Sequence, residues 1–221
     1  MEKEILRVMF TGDSVTDCNR ARPIGDGPGR VGDSYVANIF CRLWADYPKN
    51  KIRILNSAIS GDTTRNVINR FDEDIIAYSP DYLLIMIGVN DAWRRIECAL
   101  QNEVITTDEE VYENISNMVK KCKENNIKPI FISPLYFDTN HKNEFRQYVD
   151  TIQSQIKSIC SKEGIGYIDV QKQVDKYLTA INDNSYRLSG DRVHPQAIAK
   201  TLIAQTIYNS KEFKEILAFN K

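Results

Sequence analysis

"MFTGDSVTDCNR", Met9 to Arg20, is an apolar run that stops at Thr11 and gives way to Gly12, Asp13 and Ser14, with Thr16 and Asp17 close behind. Gly, Asp and Ser are the residues any tight turn selects, so the tripeptide alone reads equally as a polar turn or as a serine held at the mouth of a crevice. What surrounds it narrows the choice. Five short runs are rich in β-branched or large apolar residues: ILRVMF, KIRILNSAI, DYLLIMIG, KPIFISP and IGYIDV. Each is nearly continuous in hydrophobicity, as strands covered on both faces are. Between them lie stretches with helical spacing, Ser34 to Ala45, Thr63 to Ala77, Asp108 to Asn125 and Glu144 to Glu163. The last stretch, Pro195 to Phe219, carries an apolar face of Ile198, Leu202, Ile203, Ile207 and Phe213 and is expected to pack as a closing helix. Strand alternating with helix implies parallel crossovers, hence an α/β fold around a doubly wound parallel sheet of five strands.

The boundaries carry their own chemistry. Pro80 and Asp81 precede the third strand, Thr107-Asp108-Glu109-Glu110 has the pattern of a capping box, and Pro195 stands where a first helical residue tolerates proline. No repeat, low-complexity tract or linker interrupts residues 1–221, and the length suits one well-buried core, so one domain is expected.

Charge is nearly balanced, 29 basic against 30 acidic residues, which disfavours nucleic acid or an anionic membrane as partner and favours a small-molecule ligand. No run approaches the ~20 apolar residues of a membrane span. The opening MEKEILRVMF has too short an apolar stretch for a signal-peptide core and no small-residue cleavage pattern after it. The five cysteines, Cys18, Cys41, Cys98, Cys122 and Cys160, are odd in number and widely spaced with no CxxC, against both a disulfide framework and a zinc site. A reducing, cytoplasmic setting is expected.

In such sheets ligands bind beyond the carboxyl ends of the strands, near the point where strand order reverses. Ser14 follows the first strand, Gly61 in SAISGDT follows the second, and Asn90-Asp91 in GVND follows the third. After the fifth comes a helix-like segment and then LSGDRVHPQ, with Asp191 and His194 just before the closing helix. A serine hydroxyl needs a neighbouring base, and the chain offers only His141 and His194. His141 sits in the polar stretch FDTNHKNEF with no acid beside it and reads as solvated. His194 has Asp191 three positions earlier, close enough in a turn for a carboxylate oxygen to hold the imidazole in the tautomer whose other nitrogen accepts a proton. Ser14, His194 and Asp191 are therefore the candidate triad. The backbone amides of Ser14 and Gly61 and the Asn90 side-chain amide could hold an oxyanion, one donor from each of the first three strand ends, with glycine at 61 letting the backbone approach a ligand closely. An imidazole base also implies activity that falls as pH drops through ~6.5, where free histidine titrates.

GDS, then a glycine after the second strand, then GVND, then DRVHP, in that order from Gly12 to Pro195, resembles the SGNH or GDSL hydrolase superfamily. The resemblance implies a flavodoxin-like three-layer α/β/α fold, with Ser14 as nucleophile, Gly61 and Asn90 as oxyanion donors beside the Ser14 amide, His194 as base and Asp191 as its partner. It implies no metal or organic cofactor. Within the superfamily, GDSVTDCNRARPIGDGPGRVGDSYV and IMIGVNDAWR look like acetyl esterases that deacetylate xylan fragments and other sugars. Those esterases tend to place a Trp immediately before the DxxH motif, where Ser189 and Gly190 stand here; that aromatic serves a sugar contact or an interface, and a homo-oligomer is left open. A lysophospholipase or thioesterase of the same superfamily is the alternative.

The remaining features read two ways. Asp13 braces the turn through backbone hydrogen bonds. Trp93, Arg94 and Tyr136 could meet a sugar ring or carbonyl, or simply pack. Arg20 to Asp33, with Gly25, Gly27, Gly29 and Gly32, has the composition of a mobile loop, either shaping an acyl pocket or running over the surface. A receiver domain, matched by Asp13, Asp91, Ser133 and Lys172, needs neither the DxxH motif nor so long a closing segment. A binding protein that has lost turnover would not need every catalytic residue type.

Overall fold

The five apolar runs form five parallel strands in a computed structural model that describes residues 4–97, 105–181 and 185–220. In chain order the elements are β1 (Leu6–Gly12), the single turn α1 (Ser14–Asp17), β2 (Gly25–Asp26), α2 (Tyr35–Asp46), β3 (Ile52–Asn56), α3 (Thr64–Asn69), α4 (Phe71–Asp74) and β4 (Tyr82–Met86). Next come α5 (Val89–Glu97), α6 (Asp108–Glu124), β5 (Lys128–Ile132), α7 (Glu144–Glu163), β6 (Gly166–Ile168), α8 (Val170–Ile181), α9 (Ala197–Asn209) and α10 (Lys211–Leu217). Cys98 lies outside the described residues.

The sheet order is β2-β3-β1-β4-β5-β6. β1 pairs in parallel with β3 on one side and β4 on the other, so strand order reverses beside β1 and the crevice opens at the carboxyl ends of these three strands. Alternate side chains face opposite layers. Val8, Phe10, Leu84 and Met86 join one buried cluster with Tyr35 and Ile39 of α2, Ile203 and Ile207 of α9 and Phe213 of α10. Met9, Leu83, Ile85 and Phe131 join a second with Phe71 of α4, Ile115 and Met118 of α6 and Ile152 of α7. Helices thus cover both faces, which is why the five parallel strands read as nearly continuous apolar runs.

The sheet departs from the expected five parallel strands. It has six, because Gly25–Asp26 pairs antiparallel with Leu55 and Asn56 at the β3 edge. A two-residue strand has no periodicity to detect, and it shields the edge while the Asp26 carboxylate pairs with Arg53. The glycine-rich segment is therefore tied to the sheet edge. It is also fastened by an Ala21 N–H bond to the Arg30 carbonyl at 2.8 Å.

Two expected helices are broken. The stretch 63–77 divides at Arg70, whose guanidinium turns to Asp62, Asp74 and the Ser57 carbonyl. The closing stretch divides at Ser210, whose hydroxyl caps α10 by accepting from Phe213 N–H at 3.1 Å. Pro195 stands one residue before the Gln196 cap of α9 and is not its first residue. The Thr107 hydroxyl caps α6 through Glu110 N–H at 3.2 Å, while the Glu110 carboxylate binds Arg65.

Candidate active site

β1 ends in Gly12, at φ +150°, where an added Cβ would lie 2.0 Å from the Met86 carbonyl oxygen of β4. Only glycine allows that approach. Asp13 follows in extended conformation as the cap of α1: its Oδ1 accepts from Val15 N–H at 3.0 Å, and its carbonyl accepts from Thr16 and Asp17 N–H at 3.1 and 2.9 Å. Ser14 is thereby fixed as the first residue of a single helical turn at the strand end, half-buried. Asp13 itself is buried. That burial, with the nearby Asp91 and Asp62 carboxyls adding to it and the Val15 bond opposing it, pushes its pKa up to about 7.

Ser14 Oγ lies 2.9 Å from His194 Nε2, and His194 Nδ1 lies 2.6 Å from Asp191 Oδ2. The other Asp191 oxygen accepts from the Ser189 hydroxyl and from the Val193 and His194 amides at 3.0, 3.0 and 2.8 Å. Partial burial works against the Asp191 anion, but these bonds, led by the His194 ring, hold its carboxyl well below the usual carboxylate range. Arg192, between the two, adopts left-handed φ +67°; its carbonyl accepts from Phe137 N–H at 2.9 Å and its guanidinium binds Asp138 at 3.0 Å. The loop carrying His194 is thus anchored on the segment after β5. Trp93 stands against the imidazole, ring centroids 5.9 Å apart, and heads an aromatic row through Phe145 to Tyr136.

Gly61 lies in the turn after β3. Asn56 bends the chain there: its Oδ1 accepts from Ala58 N–H at 3.0 Å, and its Nδ2 donates to the Thr16 and Val31 carbonyls at 2.8 Å each. The ladder with β1 continues past the strand through Ile59 N–H to the Gly12 carbonyl at 3.0 Å. Gly61 then takes φ +86°, the left-handed region open to glycine. Asn90, in the first turn of α5, donates one amide hydrogen to the Asp62 carbonyl at 2.9 Å, and its second hydrogen completes the side chain's donor capacity.

Ser14, His194 and Asp191 are therefore brought into one hydrogen-bonded line, while Gly61 and Asn90 follow β3 and β4, the strands on either side of β1, and are joined through Asp62. His141 stands apart on Asp150 at 3.1 Å. Two of the residues that suggested a receiver domain, Asp91 and Ser133, are engaged elsewhere. Asp91 is buried under the Thr64 and Thr106 hydroxyls, and the Ser133 hydroxyl caps α8 by accepting from Val170 and Gln171 N–H. Phe145, Asp17 and the backbone contact of Arg94 were not foreseen as parts of the site. The spacings Ser14 to Asp17 and Asn90 to Arg94 were the available signals, since residues three and four apart share a helix face.

Residues 10–199 match the model of the GDSL-like Lipase/Acylhydrolase family. The chain belongs to this family. An acetylxylan esterase of Geobacillus stearothermophilus is 32% identical over 209 residues, 94% of either chain. A crystal structure of a catalytic mutant of that esterase, with alanine in place of a serine, superimposes with a TM-score of 0.88 over 94% of this chain and 95% of its own. A second solved structure, an α/β hydrolase enzyme from the metagenome of Lake Arreo, Spain, is 28% identical with a TM-score of 0.86 over 92% of this chain and 93% of its own. As a family member the protein is a carboxylic ester hydrolase. Among the described residues, no helix is long and apolar enough to cross a membrane.

Proposed function

We propose that this hydrolase removes acetyl groups from a small carbohydrate ester of the xylo-oligosaccharide type, through an acyl-enzyme on Ser14. The observation that carries the reading is the continuous hydrogen-bonded line from Ser14 through His194 to Asp191, next to the Gly61 and Asn90 strand ends. His194 Nε2 takes the Ser14 proton as Oγ attacks the acetyl carbonyl. The Ser14 and Gly61 amides and the remaining Asn90 amide hydrogen hold the oxyanion. The sugar oxygen leaves with the proton from His194, and water then repeats the sequence to release acetate. The acetyl group and the sugar are supported by the Geobacillus esterase.

Counting only the parallel strands, their spatial order is second, first, third, fourth, fifth, which supports a flavodoxin-like three-layer class and one catalytic domain. Cys18, Cys41, Cys122 and Cys160 are free thiols, in keeping with a reducing, cytoplasmic site of action.

The test is hydrolysis of p-nitrophenyl esters of increasing acyl length alongside acetylated xylo-oligosaccharides, with Ser14→Ala as control. Acetyl-selective turnover that disappears in the variant is expected. Preference for long chains would instead assign the same triad to a lysophospholipase or thioesterase.

A further inference from the structure

The peptide joining Ser60 to Gly61 carries the amide that the proposed reaction uses as an oxyanion donor. Glycine's freedom, which allows φ +86° here, also lets that peptide turn over and aim the Ser60 carbonyl where the amide should be. The structure holds the peptide at both ends. On the Ser60 side, Asp17 Oδ2 accepts from the Ser60 amide at 2.8 Å and from the Ser60 hydroxyl at 2.9 Å. On the Gly61 side, Arg94 Nη2 donates to the Gly61 carbonyl at 2.8 Å. Next along the chain, Asn90 holds the Asp62 carbonyl.

The two charged groups come from the two other donor segments. Asp17 ends the helical turn that Ser14 begins, and Arg94 lies one turn beyond Asn90 on α5. Asp17 is itself buried and gripped by Arg22 at 2.6 Å. Burial opposes its charge, yet Arg22 and the Ser60 bonds keep its carboxyl below the ordinary value, so an anion faces Ser60 throughout the neutral range. Hydrogen bonds with an ionised partner are roughly twice as strong as neutral ones. Donors fixed in advance need no reorganisation when charge develops.

We propose that Asp17 and Arg94 are positioning residues that fix the Gly61 amide toward the crevice, locking the three donor segments into one oxyanion site. The inference rests on the acyl-transfer reading and on Gly61 as a donor within it. Neither side chain is required to touch the substrate.

The test compares the wild type with Arg94→Gln, Arg94→Lys, Asp17→Asn and the double variant Asp17→Asn/Arg94→Gln on p-nitrophenyl acetate, with thermal melting of each. Loss of a whole oxyanion donor lowers kcat by about 10²–10³-fold, and loss of its support should lower kcat by about 10- to 100-fold. KM stays within about threefold, because an interaction realised only in the transition state is what is lost. The affinity of an alkyl boronic acid, whose serine adduct bears a tetrahedral oxyanion, falls in step with kcat/KM. The acid limb of the pH profile does not move, since the His194–Asp191 pair is untouched. Arg94→Lys recovers part of the loss, and the double variant loses less than the product of the single losses because both act on one peptide. Should Asp17→Asn fail to fold, the two Arg94 variants decide the matter. Folded variants with unchanged kcat, or a raised KM at constant kcat, overturn the inference while leaving Ser14-dependent hydrolysis by the wild type intact. A wild type with no Ser14-dependent hydrolysis overturns both.

Discussion

Asp191 uses both carboxylate oxygens: one gathers the Ser189 hydroxyl and two backbone amides, the other faces the His194 ring. Asparagine retains the shape and can still accept at one oxygen, but it cannot serve both sets at once. Asp191→Asn is therefore expected to lower kcat on the order of 10⁴-fold by losing control of the imidazole tautomer, with a far smaller effect on the melting temperature because Asp191 itself is exposed. A folded Asp191→Asn protein with full turnover would refute that role. The residues of this line were legible because a chain with two histidines leaves little choice, and because the Asp191–His194 spacing lets one turn join them. Asp17 and Arg94 were less legible: the helical spacings from Ser14 and Asn90 put them near the line, but their partners, the Ser60 amide and hydroxyl and the Gly61 carbonyl, belong to another loop.

At the scale of elements, β1 meets β4 through the bare backbone of Gly12. A Cβ on Gly12 would overlap the Met86 carbonyl, a backbone atom that cannot swing away as a flexible side chain could. Gly12→Ala is expected to destabilise the protein by about 3 kcal/mol or more and to drop the melting temperature accordingly. Gly190→Ala is the control: its added Cβ meets only Gln196 Nε2, at 3.6 Å, an ordinary contact. Equal melting temperatures for the two variants would contradict the close approach. The same scale shows which elements a sequence reveals. Strands buried on both faces announce themselves, and the long amphipathic α7 is found at Glu144–Glu163 as expected. α5 was hidden because GVND reads as loop chemistry. The break at Arg70 was hidden because Arg70 and Asp74 stand at the i, i+4 spacing of an unbroken helix. β2 was hidden because two residues have no period.

The whole molecule carries the consequence of burying Asp13 beneath the turn that Ser14 begins. With its pKa pushed up to about 7, the folded state keeps a proton that the unfolded chain releases near ~3.9. Between those values the native state binds the extra proton, so stability is fullest at acid pH, declines as pH rises toward 7, and is flat in this respect above it. Asp13→Asn, which keeps an N-cap acceptor, should remove that decline: relative to the wild type, its stability gains more at pH 8 than at pH 5 in urea unfolding. Identical pH dependence in the two proteins would contradict a protonated Asp13. The sheet, the cap and the anchored loops together serve to present one hydroxyl, and the central claim is that this hydroxyl becomes acetylated. The most direct measurement is to mix the protein with an acetyl ester, quench in acid within the first turnover, and locate the label by peptide mass spectrometry. The account predicts an acetyl group on Ser14 in the wild type and none in Ser14→Ala; acetate release by Ser14→Ala at the wild-type rate, or a label on another side chain, would contradict it.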